Sequence, residues 1–489
     1  MTNRIASGMN PFLRIARPLA AAAIASSLFF APKNASAQQW LKDRRYQEGE
    51  GIRAGDVEFH PGIGGEVGYD SNWFLRSSST NPRVINGNPV EGGVLRITPS
   101  ITVQTLGAQR TEGGNSGAFA FSAGASATYR EFIGPQELRD QRNVSGNAFV
   151  RADFNRGRPV GFDVFATYSR LIQPAVVADP NLSFNRSDVT AGADIIAIPG
   201  GGTLDIKGGY QFYGALFEES NGTPFTNLTH EVSIRNRWRF RPRTALFHDT
   251  SLRFINYPNA ARAVNYLNDS TPLRTRFGVT GLLTDRFGVL LAAGYGATFF
   301  KNGAAASSRQ YDSINAQAEG TFYLSQGGGV DEPGKATLLL STLSFGYIRD
   351  FQNSLLANYF ESNKGYAKVV YFFSGRALFQ LDGYVEALSY PQPFFNNGGA
   401  GIAPVRGANG APTGDFSNYR VGGTFFGEYR FTNVFALNAT VDYQQMISDT
   451  QLEVGAGVPA AAGAPAAPAQ LFDLSWRRVQ ALVGARLLW

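Results

Sequence analysis

RRVQALVGARLLW, residues 477–489, closes the chain, and its reading decides the fold. At period two, Val479, Ala481, Val483, Ala485, Leu487 and Trp489 share one face. Arg478, Gln480, Gly484 and Arg486 share the other, with Leu482 and Leu488 as apolar exceptions. Side chains alternate across a strand, so this is a half-buried strand whose apolar face needs a cover.

The same alternation recurs through the chain. VLRITPSITVQTL (94–106) sets Leu95, Ile97, Ile101 and Val103 against Arg96, Thr98, Thr102 and Gln104. NLTHEVSIRNRWRF (227–240) sets Val232, Ile234, Trp238 and Phe240 against Glu231, Arg235, Arg237 and Arg239. AFAFSAGASATYR (118–130) and VFALNATVDYQ (434–444) repeat it, and a helical period fits none of them. Eighteen such strands are predicted, starting near Phe59, Val94, Ala118, Val144, Val160, Ser187, Thr203, Thr226, Thr244, Thr271, Phe287, Tyr311, Lys335, Asn363, Arg376, Phe416, Val434 and Leu474.

The connections alternate in length. Tight links (RGRP, PGGG, RPR, TDR, SGR and TN) follow strands 4, 6, 8, 10, 14 and 16. Longer loops follow the odd strands, the largest being 70–93, 391–415 and 448–473. Even-side connections 107–117 and 325–334 are longer than the pattern wants. Short turns on one side, long loops on the other and an even strand number predict an all-β fold: a transmembrane antiparallel up-and-down β-barrel of about 18 strands over residues 59–489. Lipid then covers the apolar face, and the polar face lines a lumen.

Composition agrees. Charged residues are 17% of the 489, glycines number 56, and no cysteine is present to form a disulfide or thiolate site. Residues 1–37 read as a signal peptide: Arg4, Arg14 and Arg17 precede an apolar run, and ASA (35–37) supplies small residues at the cleavage site. Removing it leaves 40 basic residues against 38 acids, a net charge of about +2, which gives no footing for a nucleic-acid partner. Residues 38–58 read as a short periplasmic segment, too small for a globular plug and able to serve as a leader or to dock a partner. Outward aromatics gather in two belts. Trp238, Phe240, Tyr429, Phe435 and Trp489 sit at the short-turn end; Tyr69, Tyr129, Tyr168, Tyr347, Tyr419 and Tyr443 sit at the long-loop end.

The terminal strand (Val483, Ala485, Leu487, Trp489) resembles the C-terminal signal read by the outer-membrane barrel assembly machinery. YDSNWF (69–74), PRTALFHDTSLRFINY (242–257), GLLTDRFGVLLAAGYG (281–296) and FGYIRDFQNSLLANYF (345–360) resemble the outer-membrane β-barrel porin family of the β-barrel porin two type. Similar 18-stranded barrels serve Wzx/Wzy-type exopolysaccharide secretion. The resemblance therefore implies a Gram-negative outer membrane and, as cargo, a polysaccharide handed over by a periplasmic export protein. A general diffusion porin for small, including anionic, solutes and a structural or adhesive surface barrel are the alternatives.

The predicted lumen carries a basic ladder: Arg235, Arg237, Arg239, Arg253, Arg274 and Arg276. It either faces an acidic wall and favours anions, or is held in salt bridges. Tyr213, Phe217, Tyr323, Tyr371, Tyr384 and Phe426 are expected to point inward beside Phe149, as stacking surfaces for sugars or as rings covered by loops. Of three histidines, His60 falls near the periplasmic rim, while His230 and His248 fall on lipid-facing parity. No set of groups suggests an enzyme, metal or cofactor.

Overall fold

The computed structural model describes residues 49, 51–106, 118–155, 158–172, 185–218, 223–259, 269–301, 310–324, 341–354, 358–373, 376–391, 402–406, 415–454 and 470–489. The predicted signal peptide and most of segment 38–58 lie outside them, as do both long even-side connections and the expected start of strand 13 at Lys335.

Eighteen strands form the wall. The first nine are β2 (Val57–Asp70), β3 (Gly92–Thr105), β4 (Phe119–Ile133), β5 (Asn143–Phe154), β6 (Val160–Leu171), β7 (Arg186–Ala197), β8 (Leu204–Phe217), β9 (Asn227–Arg241) and β10 (Thr244–Asn256). The remainder are β11 (Ser270–Thr284), β12 (Phe287–Phe300), β13 (Tyr311–Tyr323), β14 (Thr342–Asn353), β15 (Tyr359–Phe373), β16 (Ala377–Tyr390), β18 (Phe416–Arg430), β19 (Phe435–Ile447) and β22 (Trp476–Leu488). Each pairs antiparallel with its sequence neighbour, and β22 pairs with β2 to close the ring. Closure matters energetically, because a backbone group left unpaired in hydrocarbon costs several kcal/mol.

The wall begins at Val57, two residues before the expected start, and β15 begins at Tyr359 rather than Asn363. A three-residue strand, β1 (Ile52–Ala54), folds back through Gly55 (φ +64°) and pairs with Val57–Phe59. It continues the line of β22, whose Trp489 amide donates to the Pro61 carbonyl at 3.0 Å.

Two-residue turns join β9 to β10 and β11 to β12 at one end, where β2 starts and β22 stops. The longest connections, after β2, β16 and β19, leave strand ends at the other end, whereas those after β3 and β13 leave strand ends on the two-residue-turn side and are longer than the pattern wants. Outward side chains are apolar: Val67, Ile101, Val150, Val164, Leu381 and Val441 are 40–52% exposed. A girdle of bare aliphatic residues this extensive fits lipid and not water. Lumen-facing positions alternate with them, as the register Asp249↔Arg235 and Asp249↔Arg276 illustrates.

The seam depends on glycine. A Cβ at Gly68 would sit 1.9 Å from the Ala481 carbonyl oxygen, whereas one at Gly65 meets nothing within 4 Å. Gly68→Val is therefore expected to abolish most of the folded barrel that resists unfolding on an unheated gel, and Gly65→Ala to leave it intact. Equal folded fractions for the two variants would remove the steric argument.

Candidate functional site: the barrel lumen

Charges facing the lumen meet across neighbouring strands. Arg151 bonds Asp153 (2.8 Å) and Asp163 (2.7 Å), and Lys207 reaches Asp194 at 2.8 Å. On the far side, Glu319 accepts from Tyr366, Arg420 Nε donates to Glu386 at 3.0 Å, Arg486 pairs with Glu428 at 2.9 Å, and Thr424 donates to Asp442 at 2.7 Å. Lys368 approaches Asp382 at 3.6 Å. The acids of this wall are thus engaged locally, as the salt-bridge alternative has it, rather than forming an open acidic surface opposite the ladder.

All six ladder arginines lie on the inward face of β9, β10 and β11, and they divide into two groups. Arg235 and Arg276 share Asp249 (both 3.1 Å), Arg253 bonds Glu231 (2.6 Å), and Arg274 bonds Asp350 (3.0 Å) while lying 4.2 Å over the Phe351 ring. These four are knitted into the wall. Arg237 and Arg239, with Arg241 beyond them, are exposed, and among the described residues no carboxylate lies within ion-pair distance of any of the three. Asp205 stands opposite Arg237 in the register without reaching it. Within the ladder, the free positive charge therefore lies at the short-turn end of β9; elsewhere on the inward face Lys364 lies over Tyr384 and Arg130 over Trp73.

Tyr213, Phe217, Tyr323, Tyr384 and Phe426 lie on the inward face, as does Phe149. Tyr371 does not: it stands opposite Phe379, is 43% exposed, and joins Phe373 on the lipid side. The inward set of β15 is Lys364, Tyr366, Lys368 and Val370, fixed by Tyr366↔Tyr384 and Lys368↔Asp382. The alternation of Val369, Tyr371 and Phe373 already held that parity.

Most inward rings lie along the wall. Phe149, Tyr366 and Tyr384 each cover a glycine of an adjacent strand, so that an added Cβ on Gly124, Gly346 or Gly422 would fall within 2.5–2.6 Å of the ring. A ring over a strand glycine replaces the missing side chain. Tyr384 also lies beneath Lys364 (4.4 Å) and Phe426 beneath Arg486 (5.6 Å), while Phe217 meets Phe225 edge-on at 5.9 Å. These rings have structural partners of their own.

The sequence reading left open whether loops enter the mouth. After β2, Asp70 accepts from the Asn72 amide at 3.0 Å, an Asx turn that aims Trp73 into the lumen. Trp73 is buried against Val94, Phe132, Leu482 and Leu138, the last from a short helix α1 (Gln136–Arg139). Arg130 and Arg478 flank its ring at 4.9 and 5.0 Å. Leu482, the apolar exception in the closing strand, is explained by this contact. Farther along, Ser77 Oγ donates to Asp473 at 2.8 Å, and Asn86 exchanges hydrogen bonds with the Asp473 backbone at 2.7 and 2.9 Å. The two largest loops contribute β17 (Ile402–Arg406), β20 (Gln451–Val454) and β21 (Gln470–Asp473), a three-stranded sheet. Its residues Leu452 and Phe472 pack with Leu388, Tyr390 and Phe416 of the wall. Together these loops make a cap anchored on β16–β4 across the seam. The free arginines of β9 lie on the opposite half of the ring.

No family model matches the chain, and no curated protein matches it. Solved barrels align with it at low identity. For a BenF-like porin from Pseudomonas fluorescens Pf-5 the TM-score is 0.42 at 12% identity, covering 89% of this chain and 99% of that one. The outer membrane protein opdK from Pseudomonas aeruginosa gives 0.39 at 9%, covering 88% and 99%. A bacterial polysaccharide outer membrane secretin gives 0.32 at 8%, covering 88% and 97%. None of these carries an argument about cargo.

Proposed function

We propose that this chain is an outer-membrane conduit that favours small anionic solutes. One observation carries the reading: Arg237 and Arg239 are exposed on the lumen wall with no carboxylate in ion-pair distance among the described residues, opposite the side to which the cap is tied. Uncompensated charge in a low-dielectric channel attracts counter-charge and selects by sign. In this proposal the barrel assembly machinery inserts the chain by reading Val483, Ala485, Leu487 and Trp489, all on the outward face of β22. The test is the reversal potential of the purified barrel in a planar bilayer under a potassium chloride gradient. A chloride-preferring potential is expected; a potassium-preferring one removes the proposal. A folded barrel with no conductance would favour the structural or adhesive role.

Polysaccharide passage, with a periplasmic export protein as partner, is a second reading that the resemblance supplies. It has less support in the lumen, because rings that could stack on sugars lie instead over glycines or beneath cations. Oligosaccharides that interrupt the current in steps would restore it.

A further inference from the structure

A cluster of polar side chains faces lipid. On the outward surface of β9, β10 and β11, Asn236, His248, Thr250 and Thr275 lie side by side, half-buried, in the central part of their strands. Among the next outward positions, Ile206, Ile234, Phe277 and Ala293 are apolar, and Tyr295, opposite Thr275, presents an aromatic ring whose hydroxyl is engaged by Asp312. At mid-wall elsewhere, lipid meets residues such as Val67, Val150 and Val441.

The four are wired together. Asn236 Nδ2 donates to His248 Nδ1 at 3.3 Å, which leaves the proton on Nε2. His248 Nε2 then donates to Thr250 Oγ1 at 2.8 Å, with Thr275 Oγ1 at 3.2 Å. Thr250 Oγ1 and Thr275 Oγ1 share one further hydrogen bond at 2.9 Å, in which either hydroxyl can donate. The ring stacks on Phe277, 4.3 Å between centroids. Following the protons leaves two loose ends among the described residues: one hydroxyl proton of the Thr250–Thr275 pair and the Asn236 carbonyl oxygen. A donor and an acceptor without partners in hydrocarbon are costly.

We infer that this surface is a two-fold interface between two copies of this chain. Acyl chains offer no polar atoms at this depth. Insertion gives every copy the same orientation and depth, so an identical patch is the group that meets it level. Rotation by 180° about the membrane normal sets the threonine pair of one copy, with its spare donor, toward the Asn236 acceptor of the other, and the reverse, as an isologous contact demands. A heterologous ring would instead oppose the patch to an apolar wall and leave both ends unpaired. Beside the patch, Ala293, Ala316 and Ala318 floor a shallow apolar groove between Phe277 and Tyr347, which lets two walls approach closely.

The chain has no cysteine, so single cysteines report contacts cleanly. Ile234→Cys and Phe277→Cys, treated in membranes with a short bifunctional thiol reagent, are expected to give a species of twice the chain mass. Val67→Cys and Val441→Cys, on the far wall, are expected to remain single. His248→Leu combined with Thr250→Val in the Ile234→Cys background should reduce the dimer at least severalfold while the barrel still folds on an unheated gel. Native mass spectrometry of the unmodified protein should show two copies. A monomer, a trimer, a cross-linked species of any other mass, or equal yields from near and far cysteines would overturn the inference.

Discussion

Arg237→Glu combined with Arg239→Glu is expected to turn an anion-preferring pore into a cation-preferring one. The double change swings the wall by four unit charges at one level. A charge lining a low-dielectric channel sets up a local potential of several kT, so the permeability ratio should move by roughly tenfold or more. The mutated side chains point into the lumen and have no ionic partner to lose, so folding should be little affected. The contrasting variant is Arg253→Gln. Its guanidinium is held by Glu231 at 2.6 Å, so its removal frees a carboxylate and deletes no loose positive charge. That variant should show a smaller shift of the same sign. If both leave the reversal potential unchanged, the permeating ions do not pass the β9 wall. Raised salt should shrink the difference between wild type and the double variant, because a Debye length of about 10 Å at 0.1 M falls to about 3 Å at 1 M.

How much of this was legible in the sequence follows from which interactions are local. Period-two alternation made the wall readable, because each strand must show one face to lipid and one to water whatever its neighbours do. Thus the inward ladder and the outward terminal strand both lie where parity puts them, and Tyr371 was misplaced by overriding its own alternation. Pairing within the lumen was not readable. Whether Arg235 is bound or free depends on Asp249, which lies fourteen residues away and reaches it only through the register of a hairpin containing a bulge between Thr244 and Leu246. The cap was hidden for the same reason. Trp73 and Asp473 belong to loops without periodicity, and Asp473 meets Ser77 and Asn86 across nearly 400 residues of chain. Leu482 gave a hint, since an inward leucine on a polar face requires an apolar cover inside the lumen.

Asn86→Ala with Asp473→Ala is expected to open the cap. Asp473 is nine-tenths buried and accepts from Ser77 Oγ, while Asn86 clasps its backbone from the other loop. Truncating both removes the side-chain part of the clasp between the first and last long loops, leaving the backbone bonds of Ile85 and Arg83 to Leu471, and leaves Ser77 Oγ without its acceptor. An unsatisfied buried group costs about 1–3 kcal/mol, which shifts the ratio of open to closed caps by roughly five- to hundredfold. A lumen of this strand number is wide unless its loops fill it, so the mean conductance should roughly double or more. The opposite constraint makes the test reversible. Ser77→Cys with Asp473→Cys, in a chain without other cysteines, should form a disulfide across the same contact. Oxidised, it should hold the conductance at its lowest level, and reduction should release it toward that of the open variant. If the oxidised and reduced channels conduct alike, the current bypasses the cap. The solute path would then run wholly along the free arginines of the opposite wall, and selectivity would be set there alone.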